Sequence, residues 1–250
     1  MTSRARPRDE QQGSQVPTVS IRPRYETCCM PLYSYCLRYD GGAAPNPYWG
    51  VCTLVICKGA IRRTAERGDW VVGLGSKASP IGDISGQVVY AMRVTDRMTM
   101  REYNRYCRGN LPGKIPKWRS GEFKKRVGDC VYDFSKPGRP RIRQSVHDER
   151  NRIVDLRGKN ALLSEHFYYF GNRPRPLPKH LRPIVQQTQG NKSVANAPYV
   201  NAFVEWIEAL RLQPNRLYGE PQLKYAIMAR SARSVCSRRD LEEDNDEEIC

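Results

Sequence analysis

The sequence predicts an α+β fold, a twisted or barrel-like, mainly antiparallel β-sheet with helices packed on it. Two observations carry this. Four short apolar runs fall within about sixty residues, separated by turns too short for most helical crossovers. Two later segments carry helix signatures, one a capping box and the other an apolar stripe of period 3.6.

The elements follow in order. Leu32-Tyr-Ser-Tyr-Cys-Leu-Arg-Tyr39 is aromatic-rich and stops at Asp40-Gly41-Gly42, as strands do. Ala43 to Pro47 is an extended loop stiffened by Pro45 and Pro47, and Gly50 to Cys57 is a second apolar strand. Ile61 to Asp69 leads to a Gly-Asp turn, and Trp70 to Leu74 is a third strand closed by Gly75 and Ser76. Val88 to Val94 is the fourth. Thr99-Met-Arg-Glu102 predicts a helix through Tyr103 and Tyr106 to Cys107. From Asn110 to Arg143 periodicity fades and charge rises. Residues 161 to 170 are strand-rich, and Arg173 to Pro178 is a stiff basic connector. Tyr199, Phe203, Trp206, Ile207 and Leu210 mark one face of an amphipathic helix that covers the sheet, and a short helix follows from Pro221 to about Arg230. This organisation gives a disordered basic arm over 1–30, a single domain over 31–230 and a disordered acidic tail over 231–250.

Charge narrows the partners. The 250 residues carry a formal +16, and seven acids crowd into the last eleven positions without a base among them. Residues 1–239 therefore hold 42 Lys and Arg against 19 acids. A body that basic attracts polyanions, of which DNA and RNA are the commonest inside cells. No apolar run reaches the length of a membrane span, and the first thirty residues lack the apolar core of a secretory leader. A cytoplasmic location with no membrane partner is expected. The nine cysteines are odd in number and show no Cys-x-x-Cys pair, so buried free thiols are expected rather than a disulfide framework or a zinc knuckle. No metal and no cofactor are expected.

Catalytic motifs are scarce. There is no Walker loop, no G-x-G-x-x-G after a strand, no H-E-x-x-H and no G-x-S-x-G. Asp40, Asp69, His147 and His166 remain as candidate acid–base groups, because histidine titrates near neutrality and carboxylates accept protons. Adjacent residues of an extended chain point apart, which weakens a direct dyad of His147 with Asp148. Aromatic side chains in a basic surround suit the stacking of a base. Asp40, Asn46, Trp70, Ser76, Tyr168 and Tyr169 are the candidate base-pocket residues, with Trp70 and Phe167 also readable as plain core. Tyr168 alternates with Phe167 and faces the other side of its strand. Arg62, Arg63, Lys114, Lys117, Arg119, Lys124, Lys125 and Arg126 are the candidate phosphate contacts.

The set Tyr35-Cys-Leu-Arg-Tyr-Asp40, Ala44-Pro-Asn-Pro47, Cys52-Thr-Leu54, Ile61-Arg-Arg63, Gly68-Asp-Trp-Val-Val-Gly73, Gly75-Ser76, Val89-Tyr-Ala-Met-Arg-Val94 and Ser164-Glu-His-Phe-Tyr-Tyr-Phe-Gly171 resembles the second type of nucleotide modification associated domain. The resemblance spans about residues 31 to 212. It implies a place in a prokaryotic or phage system that modifies nucleic-acid bases, an association made by gene neighbourhood rather than by a reaction. The Gly-Asp turn, Gly-x-Gly-Ser and the run to Val94 also look like the core hairpin of PUA-like barrels, the superfamily of EVE and ASCH domains. That likeness implies an aromatic-walled cage for a base. The expectation is a nucleic-acid-binding protein that recognises a modified base in DNA or RNA, alongside other proteins of the modification system. The rival is an enzyme acting on a base or nucleotide.

Overall fold

The computed structural model describes residues 30–186 and 190–229, and the expected arm, apart from Met30, and the expected tail lie outside them. In chain order the elements are β1 (Leu32–Leu37), β2 (Cys52–Leu54), α1 (Gly59–Thr64), β3 (Trp70–Gly75), β4 (Gln87–Arg93), β5 (Asp96–Thr99), α2 (Met100–Gly109), α3 (Phe123–Arg126), β6 (Tyr132–Asp133) and β7 (Arg141–Ile142). There follow α4 (Arg152–Arg157), β8 (Asn160–Ser164), β9 (His166–Tyr169), β10 (Arg175–Pro176), β11 (Asn191–Lys192), α5 (Val200–Ala209), β12 (Arg216–Leu217) and α6 (Lys224–Ala229).

The main sheet runs β11-β1-β3-β4-β9-β12, with β10 added to β4, and its two end strands do not meet. It is an open, mostly antiparallel sheet, so the expected α+β class holds while the barrel alternative does not. Two pairings are parallel, β1 with β3 and β12 with β9. The expectation of turns without a crossover therefore fails at β1–β3, where the connection carries β2 and α1. That helix escapes sequence reading because it is six residues long and its N-cap, Lys58, supplies no side-chain cap. The capping box of α2 is present in both directions, Thr99 accepting from the Glu102 N–H and Glu102 accepting from the Thr99 N–H.

Side-chain alternation places the core on both faces of this sheet. Leu32, Trp70, Val72, Ala91 and Tyr168 point to one side, where Val200, Phe203 and Ile207 of α5 cover them. Tyr35, Val71, Tyr90, Met92, Phe167 and Tyr169 point to the other, against Ile61 of α1, Leu54 of β2 and Leu162 of β8. Strands β2, β8 and β5 form a second, three-stranded antiparallel sheet. A third apolar cluster joins Tyr103 and Cys107 of α2 to Val131, Tyr132, Val146 and Ile227. The segment that loses periodicity after Asn110 thus packs as loops, the single turn α3 and the β6–β7 ribbon.

Gly73 permits one of the tightest approaches in the sheet. A Cβ there would lie 2.4 Å from a ring carbon of Tyr90, whose hydroxyl meets that of Tyr35 at 2.8 Å. The ladder also slips by one residue between Gly73 and Leu74. Both Tyr35 and Tyr90 are fully buried, so the ring cannot move to solvent. Gly73→Ala is expected to lower stability by roughly 1–3 kcal/mol through overpacking, read as a lower urea midpoint at unchanged slope.

Candidate active site

Cys57 stands at the turn between the β2 run and α1. It and Lys58 both hold left-handed backbone angles, with φ of 56° and 46°. Such angles cost an L-residue roughly 1–3 kcal/mol each and persist where surrounding contacts impose them. One such contact is visible, since the Cys57 N–H donates to Asp155 Oδ1 at 2.8 Å. Asp155 belongs to α4, whose entry is set by Asp148, which caps the preceding 3₁₀ turn at the Arg150 N–H.

His147 sits between the two. Its Nδ1 lies 2.6 Å from Asp155 Oδ2, and its Nε2 lies 3.4 Å from Cys57 Sγ. The Ser145 hydroxyl donates to the His147 carbonyl and accepts from its N–H, which fixes the backbone. Tyr132 OH donates to Asp155 Oδ2 at 2.7 Å, completing the carboxylate's partners. Burial pushes the Asp155 carboxyl up, yet the facing His147 imidazole and the Arg62 guanidinium outweigh it and hold the group below its usual value. An ionised Asp155 keeps the imidazole proton on Nδ1 and leaves Nε2 to accept from the thiol.

Cys57 and His147 open onto a cavity of about 40 Å³, whose wall also includes Arg38, Tyr39, Lys58 and Ile227. It has room for about two or three water-sized groups. The ligand atoms of Cys57, His147 and Asp155 lie within 4.8 Å of one another, near enough for an ion. The order of contacts argues for a proton relay instead. Asp155 Oδ2 is bonded to Nδ1 and its Oδ1 to the Cys57 N–H, which leaves Nε2 as the imidazole atom that faces Sγ.

The expected site residues fall in several places. His147 reaches the cavity, but its carboxylate partner is Asp155, while Asp148 turns to Arg150. Asp40 is fully buried and accepts from Tyr169 OH at 2.8 and 2.6 Å and from the Gly42 N–H. Burial pushes its carboxyl up to about 6 against those bonds. Asp69 closes its turn on the Glu66 N–H. His166 rests edge-on against Trp70 and Tyr168, its Nε2 buried without a hydrogen-bond partner among the described residues, and burial, then Arg93, lowers its pKa. Trp70 is core beneath Phe203, Ser76 holds the Ala78 N–H, and Tyr168 and Tyr169 are buried on opposite faces. The six residues expected around a base do not line a common pocket, because the pleat and the two apolar layers separate them.

Two expected phosphate contacts turn inward. Lys114 is fully buried and donates to the Asn46 and Val51 carbonyls, Asn46 Oδ1 and Thr53 Oγ1. Its charge faces Asp129, and burial lowers the Lys114 pKa and raises that of Asp129. Arg62 is also fully buried and braces the backbone around Asp155, donating to the Val55, Asp155 and Asn160 carbonyls. A Cβ at Gly158 would lie 2.0 Å from its guanidinium, so glycine makes room for it. Arg63 and Lys124 are exposed, Lys125 pairs with Glu122, and Arg126 bonds the Ser120 carbonyl. Lys117 and Arg119 flank Trp118 in an open groove of about 680 Å³ that Arg141, Arg143 and Gln144 also line. Sequence reasoning missed Cys57 and Asp155. The trace it had was a thiol just before a Lys-Gly turn at the end of an apolar run.

Residues 29–229 match the model of nucleotide modification associated domain 2, and the chain belongs to that family. No curated protein and no solved structure matches it.

Asp40 gives a pH-dependent signature. Its folded pKa lies above that of the unfolded carboxyl, so its contribution is full below about pH 4 and is lost as pH rises through about 6. Wild type should therefore lose stability relative to Asp40→Asn between pH 4 and 7, by up to roughly 3 kcal/mol. Parallel urea titrations of the two proteins across that range check it.

Proposed function

We propose that this member of a nucleotide modification family is a thiol enzyme, in which Cys57 is the nucleophile, His147 the general base and acid, and Asp155 the residue that orients the imidazole. One observation carries the reading, the line of contacts from Cys57 Sγ through His147 to Asp155 at the wall of a cavity. The strained strand-to-helix turn supports it, since such turns present a nucleophile clear of its own strand. A merely structural cysteine needs neither the left-handed angle nor a relay.

The reaction class that suits this relay is acyl transfer or hydrolysis. The thiol gives its proton to His147 Nε2 as sulfur attacks an ester or amide carbonyl carbon. The imidazolium, held by Asp155, returns that proton to the leaving oxygen or nitrogen as the C–O or C–N bond breaks, leaving a thioester. Water or an acceptor amine then loses a proton to Nε2, attacks the thioester carbon, and the proton restores the Cys57 thiol. In a nucleotide modification system the acyl group would be carried by, or delivered to, a nucleotide or a nucleic-acid base.

The basic groove around Trp118 supports nucleic-acid recognition as a second reading and complements the first. Lys117 and Arg119 are exposed there, and an aromatic face among cations suits an unpaired strand. Gln144 lines the groove while Val146 and His147 line the cavity, so a few residues of chain connect the two.

Three experiments test these readings. Site-resolved alkylation by iodoacetamide at pH 6 should modify Cys57 at least about tenfold faster than Cys36 of the same chain, with the advantage lost in His147→Ala. A p-nitrophenyl ester should leave a hydroxylamine-labile acyl group on Cys57, absent in Cys57→Ala. Equal rates at the two thiols and no acyl adduct would rule the thiol enzyme out. For the groove, Lys117→Gln with Arg119→Gln should weaken single-stranded DNA or RNA binding and flatten the dependence of log Kd on log salt by about 0.7 per lost phosphate contact. An unchanged slope would remove these residues from the interface.

A further inference from the structure

We propose that the cavity beside Cys57 takes an anionic group of the substrate, a carboxylate or a phosphate, on the guanidinium of Arg38. The proposal rests on the thiol reading and adds to it the charge of the molecule that is turned over.

The observations converge on Arg38 from three directions. It lines the same cavity as Cys57 and His147. Its Nε is buried and has no hydrogen-bond partner among the described residues. Its Cζ lies over the Tyr39 ring at 5.3 Å from the centroid, which holds the plane of the fork. A guanidinium N–H held from water without an acceptor carries a desolvation cost, which marks Arg38 as a side chain whose donors the described residues do not satisfy. The bidentate fork is the donor arrangement best matched to carboxylate and phosphate oxygens.

The surroundings leave that acceptor to a ligand. No Asp or Glu among the described residues lines the cavity, whereas Lys58 adds a second cation to it. Asp40, two residues from Arg38, spends both oxygens on Tyr169. Asp155 lies behind His147 and is occupied by that imidazole, Tyr132 and the Cys57 N–H. The volume of about 40 Å³ admits a small charged group and little else. Arg38 is thereby a positioning residue, holding the far end of the acyl group while its carbonyl meets the thiol.

Two alkylating reagents of nearly equal size, differing in charge, test this without knowledge of the natural substrate. The rates of iodoacetate and iodoacetamide at Cys57 are read by peptide mass spectrometry on the full chain, folded and in urea. The iodoacetate-to-iodoacetamide ratio is expected to be about tenfold higher in the folded protein than in the unfolded chain. It should fall toward the unfolded value in Arg38→Gln, persist in part in Arg38→Lys, and be unmoved in Lys136→Gln, an exposed cation outside the cavity. Inorganic phosphate or acetate should slow iodoacetamide labelling of wild type, the effective one naming the oxyanion, and do so less in Arg38→Gln. A folded ratio equal to the unfolded one, an equal fall in Lys136→Gln, or protection by neither anion overturns the subsite. Fast iodoacetamide labelling in that case leaves the thiol reading standing, whereas Cys57 no faster than Cys36 with either reagent removes that reading instead.

Discussion

Asp155 is a fully buried carboxylate that collects the imidazole of His147, the hydroxyl of Tyr132 and the main-chain N–H of Cys57, while Arg62 donates to its own carbonyl. A carboxylate placed in the interior is tolerable only when such partners replace its water, and breaking a buried pair costs roughly 3–5 kcal/mol. The donors come from the β6 strand, the loop before α4 and the strained turn before α1, with Arg62 from α1 itself. Their convergence fixes α4 against α1 and the β6 strand. It also gives the left-handed backbone at Cys57 a bonded amide, which helps to offset the strain of that turn. Geometry at the thiol is in this sense a consequence of how one charge was buried.

The same logic recurs in the rest of the interior. Lys114 and Asp129 share a buried network with Asn46, Thr53 and Tyr103, and Asp40 is capped by Tyr169. These clusters sit where the two sheets, α2 and the loop after Asp40 meet, so polar bonds set the angles between layers that apolar contacts leave adjustable. The Asp40 cluster matters to the cavity because it holds the Gly42 N–H, between Gly41 and Ala43, which form part of its wall. Ile227 of α6 closes another side, and the Leu223 N–H bonds the Asp40 carbonyl.

What the sequence made legible was local. The strand from Trp70, the strand ending near Val94, the capping box at Thr99 and the stripe through Phe203 and Ile207 each follow from side chains within a few positions of one another. The parallel partnership of β1 with β3 did not, because it depends on α1, a helix with no capping side chain. The relay was hidden more deeply. His147 is visible as a titratable residue, but Asp155 lies eight positions away on another element and Cys57 ninety positions away, and no local period links them. Charge misled in a related way. Composition counts cations without their direction, and Arg62 and Lys114 point inward because the interior holds the carbonyls and carboxylates that satisfy them. The aromatics expected to stack a base are core for the complementary reason, since both faces of the main sheet are covered.

That last point bears on the choice between recognition and chemistry. A pocket that reads a base by stacking needs an aromatic face left open to the ligand, and Trp70, Tyr168 and Tyr169 are each buried against protein. Trp118 lies among cations in the open groove, whereas the cavity of about 40 Å³ brings Cys57 and His147 together. Under the proposed function these two places divide the work, the groove holding a polyanion and the cavity admitting only a small acyl group. Their connection is short. From Arg143, which bonds the Cys130 carbonyl and Asn104, to His147 the chain has four steps, a reach of at most about 14 Å. Ser145, midway, is itself bonded to His147. Arg143, which also pairs with Asp133, thereby ties this segment to α2 and the β6–β7 ribbon, and Ser145 ties it to the backbone of His147, so the groove wall and the imidazole share one anchored stretch of chain.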